Sequence, residues 1–202
     1  MTDLSHSIRR TPVQERSSDT VQQILRAASQ LLERESMEQI TTSRIAAEAG
    51  VSIGALYRFF PDKQAVIDAI AVKHVEELRR MLEQTFSGAL PEDGAAFLGA
   101  IVDAYVGFLD SRPDFRRIAL GRHVSASTHQ KQAGPDVGPA ALVKQFILDQ
   151  LGMDVGDLDL KIRIASEAGE RLIAYAYEQP AGPARDSVVA EMKALLSKYL
   201  FD

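Results

Sequence analysis

Apolar residues recur at three- and four-residue steps along most of the chain, which is the spacing of one buried helix face. From Ser18 this spacing predicts a first helix, which Ser17 or Ser18 can cap. Its predicted buried stripe is Val21, Ile24, Leu25, Ala28, Leu31 and Leu32. Residues 1–16 lack such a stripe and are predicted to be a mobile arm carrying Arg9, Arg10 and Arg16, or a disordered tail without a role.

Two short helices joined by a tight turn are predicted next. Thr41 or Thr42 can cap the first, and Gly50 can leave it with a positive φ. Ser52 can cap the second. The side chains predicted to face inward are Ile45, Ala46, Ala49, Val51, Leu56 and Phe60, whereas Ile53, Gly54, Ala55, Tyr57 and Arg58 are left for the outside. Phe59 fits either side.

The remaining segments are also predicted to be helical. Asp62 can cap a long helix that follows the break at Pro61. Further helices are predicted over residues 92–109, from Pro113, and over 139–151, 157–178 and 184–200, with a polar loop between Gly121 and Gly138. Strands flanked by hairpin turns are not predicted anywhere, so the fold class is all-α.

The short-helix region resembles the N-terminal DNA-binding domain of the TetR (tetracycline-repressor-like) family. The matching run is Thr42, Ile45, Ala46, Ala49, Gly50, Val51, Ser52, Gly54, Leu56, Tyr57, Phe60 and Lys63. The resemblance implies a three-helix helix-turn-helix domain over 17–63 after an arm over 1–16. It also implies a connecting long helix over 64–82 and a helical effector-binding and dimerisation domain over 83–202.

The resemblance also implies which residues contact DNA. Thr42 and Ser43 match positions at phosphates and the groove edge, with Arg44 as a charged neighbour. Tyr57 and Lys63 match the phosphate-binding positions, and Ser52, Ile53, Gly54 and Ala55 match the tip of the recognition helix. Arg58 can contact either a guanine or a phosphate. Tyr57 as a packing residue and Lys63 as a solvated charge are the alternatives.

In the second domain, the resemblance implies that the last two long helices form a four-helix interface with a second copy. The interface candidates are Ile164, Ala165, Ala168, Leu172, Ile173, Ala176, Val188, Met192, Leu195, Leu196 and Tyr199. The alternative is that these stripes only complete the core of one copy. Candidates for lining a mainly apolar effector pocket are Phe97, Ile101, Tyr105, Phe108, Phe115, His123 and Tyr175, each of which could instead be a core residue.

Composition narrows the functional classes. The chain has no cysteine, which excludes disulfides and thiolate metal sites, and His123 and His129 are expected to be solvated, so neither a metal nor a cofactor is predicted. Lys and Arg balance Asp and Glu through Arg80, 11 each, and the acidic excess follows, at 12 against 17. A neutral DNA-binding half is compatible with a net charge of −5, because only the groove-facing patch must attract phosphates.

The expected function is therefore a cytoplasmic regulator that binds palindromic operator DNA as a homodimer and is released by a small, mainly hydrophobic effector. Activation of transcription by the same fold is an alternative, and an interaction module that has lost DNA binding is another. Catalytic motifs are not recognised in the sequence, so an enzyme is not expected. An uninterrupted apolar run of roughly 18 residues, as a membrane helix needs, is also missing.

Overall fold

The computed structural model describes residues 12–88, 90–91, 93–125, 138–151 and 157–201. Within these ranges the chain forms nine α-helices and one π-helical turn, without strands, so the predicted all-α class is confirmed. The helices are α1 (Pro12–Arg34), α2 (Thr42–Glu48), α3 (Ile53–Phe59), α4 (Lys63–Thr85), α5 (Gly94–Ser111), α6 (Pro113–Leu120), α7 (Gly138–Phe146), α8 (Leu158–Glu178) and α9 (Pro183–Phe201), with the π-helical turn at Ile147–Leu151.

The chain divides into two compact units, Met1–Val66 and Ile67–Asp202. In the first unit, α1 supplies the apolar platform that the two short helices need, because neither can bury a full face alone. The fully buried side chains at its centre come from all three helices and include Ile24 and Leu32 of α1, Ile45 of α2 and Leu56 of α3.

The first helix begins earlier than the sequence pattern indicates. It starts at Pro12, so Ser17 and Ser18 lie within it and the prediction that either caps its start is wrong. Periodicity reports only the part of a helix that has a buried face, and residues 12–17 are mostly polar. The remainder of the predicted arm, residues 1–11, lies outside the described residues.

The second unit is built around α5, α8 and α9. Aromatic rings occupy one end of its core: the Phe97 ring stacks on Phe146 with centroids 4.2 Å apart and meets the edge of Phe86 at 5.4 Å. Elsewhere in this unit the Asp110 carboxylate of α5 joins three helices, since it accepts hydrogen bonds from Tyr177 of α8 and Arg185 of α9.

Helix α5 meets the length and hydropathy of a membrane span, with an 18-residue window of mean hydropathy 1.3. Its apolar sequence is interrupted by Asp103 and Asp110. Phe97, Ile101 and Leu109 of α5 are buried against the other helices of the unit, as expected of the core helix of a globular domain.

The segment that follows α6 is hydrogen-bonded to α4. The backbone N–H of Ser125 donates to Asp68 Oδ1 at 3.0 Å, and the Ser125 hydroxyl donates to Asp68 Oδ2 at 2.5 Å. Most of the loop predicted between Gly121 and Gly138 lies outside the described residues, and so does His129.

Candidate nucleic-acid interface

The turn between α2 and α3 has the geometry that the sequence predicts. Thr41 caps α2, because its hydroxyl accepts from the backbone N–H of Arg44 at 3.2 Å. Gly50 has a φ of +67°. Its N–H donates to Ala47 O at 3.2 Å, and the N–H of Val51 donates to Ala46 O at 3.0 Å, which together form a Schellman motif.

Ser52 then starts α3 as predicted, with its hydroxyl accepting from the backbone N–H of Ala55 at 3.1 Å. Leu56 is the residue of α3 that is fully buried, so this one side chain anchors the helix. Exposed side chains on α3 include Ile53 and Tyr57, and 52% of Tyr57 is accessible. Such exposure of apolar surface on a short, polar-flanked helix is typical of a recognition surface.

The predicted contact residues Thr42 and Tyr57 are brought together. Thr42 Oγ1 lies 3.1 Å from the hydroxyl oxygen of Tyr57, so a hydrogen bond links the first turn of α2 to the outer face of α3. This bond orients the tyrosine hydroxyl before any ligand arrives. A hydroxyl pair of this kind can donate one further hydrogen bond to an anionic oxygen such as that of a phosphate.

The predicted residue Lys63 is the first residue of α4, and its ammonium is also positioned by the protein. Lys63 Nζ donates to the backbone carbonyl of Met37 at 2.9 Å. The neighbouring Asp62 caps α4, as predicted, by accepting from the backbone N–H of Ala65 at 2.8 Å. The hydrogen bond to Met37 is not predictable from the sequence, because its acceptor is a backbone carbonyl, which every residue type carries.

Arg44 is tied into the protein. Its Nη2 lies 2.6 Å from Glu35 Oε1, and its Nη1 donates to the carbonyl of Gln39 at 3.4 Å. A second ion pair runs the other way, from the last residue of α1 to α2, with Arg34 Nη2 2.6 Å from Glu48 Oε1. Arg44 therefore has a role in holding α2 against the end of α1, which the sequence pattern does not predict.

The other proposed contact residues lie on the same exposed surface. Ser43, Gly54 and Arg58 are exposed and Ala55 is half-buried. Phe59, which fits either side in the sequence pattern, is half-buried, and the Arg58 guanidinium carbon lies 5.2 Å from the centre of its ring.

The effector-pocket candidates do not form one group. Phe97, Ile101, Phe108 and Phe115 are buried in the core of the second unit, and Tyr105 and His123 are half-buried. Burial, and next the charge of Glu170, raises the pKa of the Tyr105 hydroxyl. Tyr175 is instead exposed at the surface, so the structure separates it from the others. His74 and Asp114, which were not in the candidate set, lie beside Phe108 and Phe115.

The dimer candidates fall into two groups as well. The exposed ones are Ile164, Leu195 and Tyr199, and the half-buried ones are Ala168, Leu172 and Val188. The structure places the others within the core of a single copy: Ala165, Ile173, Ala176, Met192 and Leu196. Leu160 and Tyr175, which were not in the candidate set, are also exposed on α8.

The family model of bacterial regulatory proteins of the tetR family matches residues 24–70, which include the whole helix-turn-helix. Among curated proteins, the nucleoid occlusion factor SlmA of Pasteurella multocida is 32% identical over 123 residues, 60% of this chain and 61% of that protein. SlmA of Yersinia enterocolitica is 33% identical over 103 residues, 50% of each chain. These matches thus span only about half to three fifths of the relatives' length.

Solved structures match over nearly the full chain. A TetR-family transcriptional regulator from Streptomyces coelicolor has a TM-score of 0.67 and 25% identity, covering 91% of this chain and 97% of the other. The structure of RolR in complex with resorcinol also has a TM-score of 0.67, at 17% identity, covering 93% of this chain and 96% of the other, which shows a shared fold. The helix-turn-helix region thus matches the tetR family of bacterial regulatory proteins, and the whole chain has the fold of TetR-family regulators.

Proposed function

We propose that this chain is a transcriptional regulator that binds a palindromic operator in the cytoplasm as a homodimer. Its recognition element is α3, with Ile53, Gly54 and Arg58 facing the bases of a major groove. Thr42, Tyr57 and Lys63 bind the phosphates beside it. The observation that carries the proposal is the hydrogen bond between Thr42 and Tyr57, because it positions a phosphate-binding hydroxyl on an otherwise exposed helix.

The base-facing residues suit a site that contains thymine and guanine. Ile53 and Ala55 offer apolar contact to thymine methyl groups, and Gly54 lets the helix backbone approach the base edges closely. The exposed Arg58 can form a bidentate pair with guanine O6 and N7. Ser43 and Ser52 can donate hydroxyl hydrogens to phosphates at the two helix starts.

Dimerisation is supported by the apolar side chains that α8 and α9 expose. Ile164 is 46% exposed and Leu195 is 55% exposed, so the core of one copy leaves much of their apolar surface uncovered. A second copy that covers this face places two recognition helices on one side of the duplex, roughly 34 Å apart, when the half-sites are one helical turn apart.

Release by a small, mainly hydrophobic effector completes the proposal. The aromatic residues of the second unit, with Tyr105 and His123 half-buried among them, supply apolar contacts and a few polar groups. An effector that prefers the non-binding conformation by several kcal/mol would remove most dimers from DNA.

The test is selection of preferred sequences from a random duplex library by the purified full-length chain, at modest ionic strength and without added ligand. We expect one palindromic site to be enriched. A Tyr57→Ala variant serves as the control, since it keeps Leu56 and hence the helix anchor. Selection that enriches no site, or a variant that binds the enriched site as tightly as the wild type does, contradicts the proposal.

A second candidate role is suggested by the relatives, which are named nucleoid occlusion factors. The 123-residue match is longer than the 66-residue first unit, so it includes part of the second. Transcript levels in a strain that lacks the gene separate the two roles. A regulator changes the transcripts of genes beside its binding sites, whereas a factor that acts only at the nucleoid leaves them unchanged.

A further inference from the structure

The His74 side chain of α4 is placed between two carboxylates. Its Nε2 lies 2.8 Å from Asp114 Oδ2, in the first turn of α6, and its Nδ1 lies 3.2 Å from Glu77 Oε2, one turn further along α4. His74 is 6% exposed and Asp114 is 5% exposed. Among the described residues, His74 and Asp114 are the polar side chains that are buried. The proposed function assigns no role to them.

The number of N–H donors on the imidazole must match the two carboxylates that face it. A neutral imidazole has one N–H and one nitrogen lone pair, whereas an ionised carboxylate can only accept. With both carboxylates ionised, a neutral His74 would turn a nitrogen lone pair toward a carboxylate oxygen at hydrogen-bond distance. An imidazolium instead donates from both nitrogens, one to Asp114 and one to Glu77. The geometry therefore requires one proton more than neutral histidine with two carboxylates carries.

We propose that His74 is an imidazolium in the folded protein and that it forms a proton-dependent latch holding α4 to the start of α6. The proton binds at the second ring nitrogen and leaves when the latch opens.

The cations beside Glu77 favour the imidazole over this carboxylate as the position of the proton. The groups facing Glu77 are cationic: Lys73 Nζ lies 3.9 Å from its Oε1, and Arg112 Nε, at the junction of α5 and α6, lies 3.4 Å from its Oε2. On α6, Arg117 follows Asp114 by one turn. The rings of Phe108 and Phe115 have centroids 6.4 Å and 5.3 Å from that of His74 and limit the access of water.

The latch bears on regulation because α4 is one continuous helix from Lys63 to Thr85. The helix that carries His74 thus begins at Lys63, which is proposed to bind DNA. This consequence rests on the proposed function, but the proton site itself does not. We expect opening of the latch to free α4 from α6.

Equilibrium unfolding of the full chain at a series of pH values tests the proton. Above pH about 6.5 the unfolded histidine is neutral, so the folded state holds one more proton than the unfolded state. The stability of the wild type should therefore fall as the pH rises, by about tenfold in the folded-to-unfolded ratio for each pH unit. His74→Gln should lose this part of the pH dependence.

Asp114→Asn is the matched second variant. Its amide can donate to the imidazole, so a neutral His74 then accepts at Nε2 and donates at Nδ1 without the extra proton. We expect this variant to fold and to lose the same pH dependence. If the wild type shows no more pH dependence than His74→Gln and Asp114→Asn, the proposal is overturned.

The nitrogen chemical shifts of His74 provide an independent readout. In the wild type labelled with ¹⁵N at its histidines, both ring nitrogens should be protonated at pH 7.5, and the His74 signals are those absent from His74→Gln. A ring with one protonated nitrogen would place the proton on a carboxylate and overturn the assignment. Neither measurement uses DNA, so failure here is distinguishable from failure of the proposed function.

Discussion

The ammonium of Lys63 donates a hydrogen bond to the carbonyl oxygen of Met37 at 2.9 Å, so the start of α4 is joined to the loop that follows α1. An ammonium has three N–H groups, and this bond uses one of them. The remaining N–H groups can reach a phosphate from a position that the protein has already set. Lys63 thus combines a structural contact with its proposed contact to DNA.

Replacing Lys63 by alanine should therefore have two effects. Loss of the phosphate contact should weaken binding about equally on all DNA sequences and reduce the slope of log affinity against log salt by about 1. Loss of the contact with Met37 should lower the free energy of unfolding by roughly 1 kcal/mol. Fluorescence anisotropy over a salt series measures the first effect, and chemical denaturation measures the second.

Lys73→Ala is the control for this prediction. It removes the same charge from the same helix, but ten residues further on, about 15 Å along the axis. Its salt slope should match that of the wild type. An equal change of slope in both variants, or a loss confined to one DNA sequence for Lys63→Ala, would contradict the phosphate contact.

The hydrogen bond between Thr42 and Tyr57 leads to a prediction of coupling. Tyr57→Phe and Thr42→Val each remove one hydroxyl and keep the shape of the side chain. We expect each to weaken operator binding by roughly threefold to tenfold, since one hydrogen bond contributes about 1 kcal/mol. The double variant should bind only slightly less well than either single one. Fully additive losses in binding free energy would show that the two hydroxyls act independently.

Two glycines in the helix-turn-helix should respond in opposite ways to alanine. Gly50 has a φ of +67°, where a Cβ is strained, so Gly50→Ala should lower the stability by about 1 kcal/mol. Gly54 lies within α3, and among the described residues no other part of the protein comes within 4 Å of the place that a Cβ would occupy there. Gly54→Ala should thus raise stability by up to about 1 kcal/mol.

DNA affinity distinguishes these two variants further. Gly54 is proposed to face the bases, so an added methyl group should weaken operator binding although the protein is more stable. Gly50→Ala should bind with nearly the wild-type affinity at temperatures where it is folded. Thermal denaturation and anisotropy on the same samples provide both values. A Gly54→Ala variant with undiminished affinity would remove Gly54 from the interface.

The sequence predicts the helix-turn-helix well because its determinants are local. Thr41, Gly50, Ser52 and Asp62 each act on backbone groups within a few residues, so their roles follow from spacing alone. The predicted start of α1 is wrong because residues 12–17 are mostly polar and carry no apolar periodicity to reveal the helix. The bond from Lys63 to Met37 also escapes prediction, since it joins residues 26 apart through a backbone carbonyl.

The second unit is harder to predict in detail. A stripe of apolar residues marks a buried face but does not say whether the same copy or a second one covers it. Leu195 and Leu196 are neighbours in sequence, yet the first is exposed and the second lies in the core. His74 and Asp114 are 40 residues apart, and only the packing of α6 against α4 brings them together.

The exposed face of α8 and α9 leads to the last prediction. Ile164→Glu combined with Leu195→Glu places charges on side chains that the core of one copy does not need, so each copy should keep its helical content. A charge buried without a partner at the contact between copies is costly, and the variant should be a monomer. Light scattering after size-exclusion chromatography measures the mass, and circular dichroism measures the helix content.

Leu148→Glu is the matched control, because Leu148 is also exposed but lies in the π-helical turn. It should remain a dimer. The affinity of the monomeric double variant for the full operator should be lower by about a hundredfold or more, because the two half-sites are no longer bound together. A double variant that stays dimeric would place the contact between copies elsewhere. A monomer with undiminished operator affinity would mean instead that one copy suffices to bind DNA, against the proposed arrangement of two recognition helices.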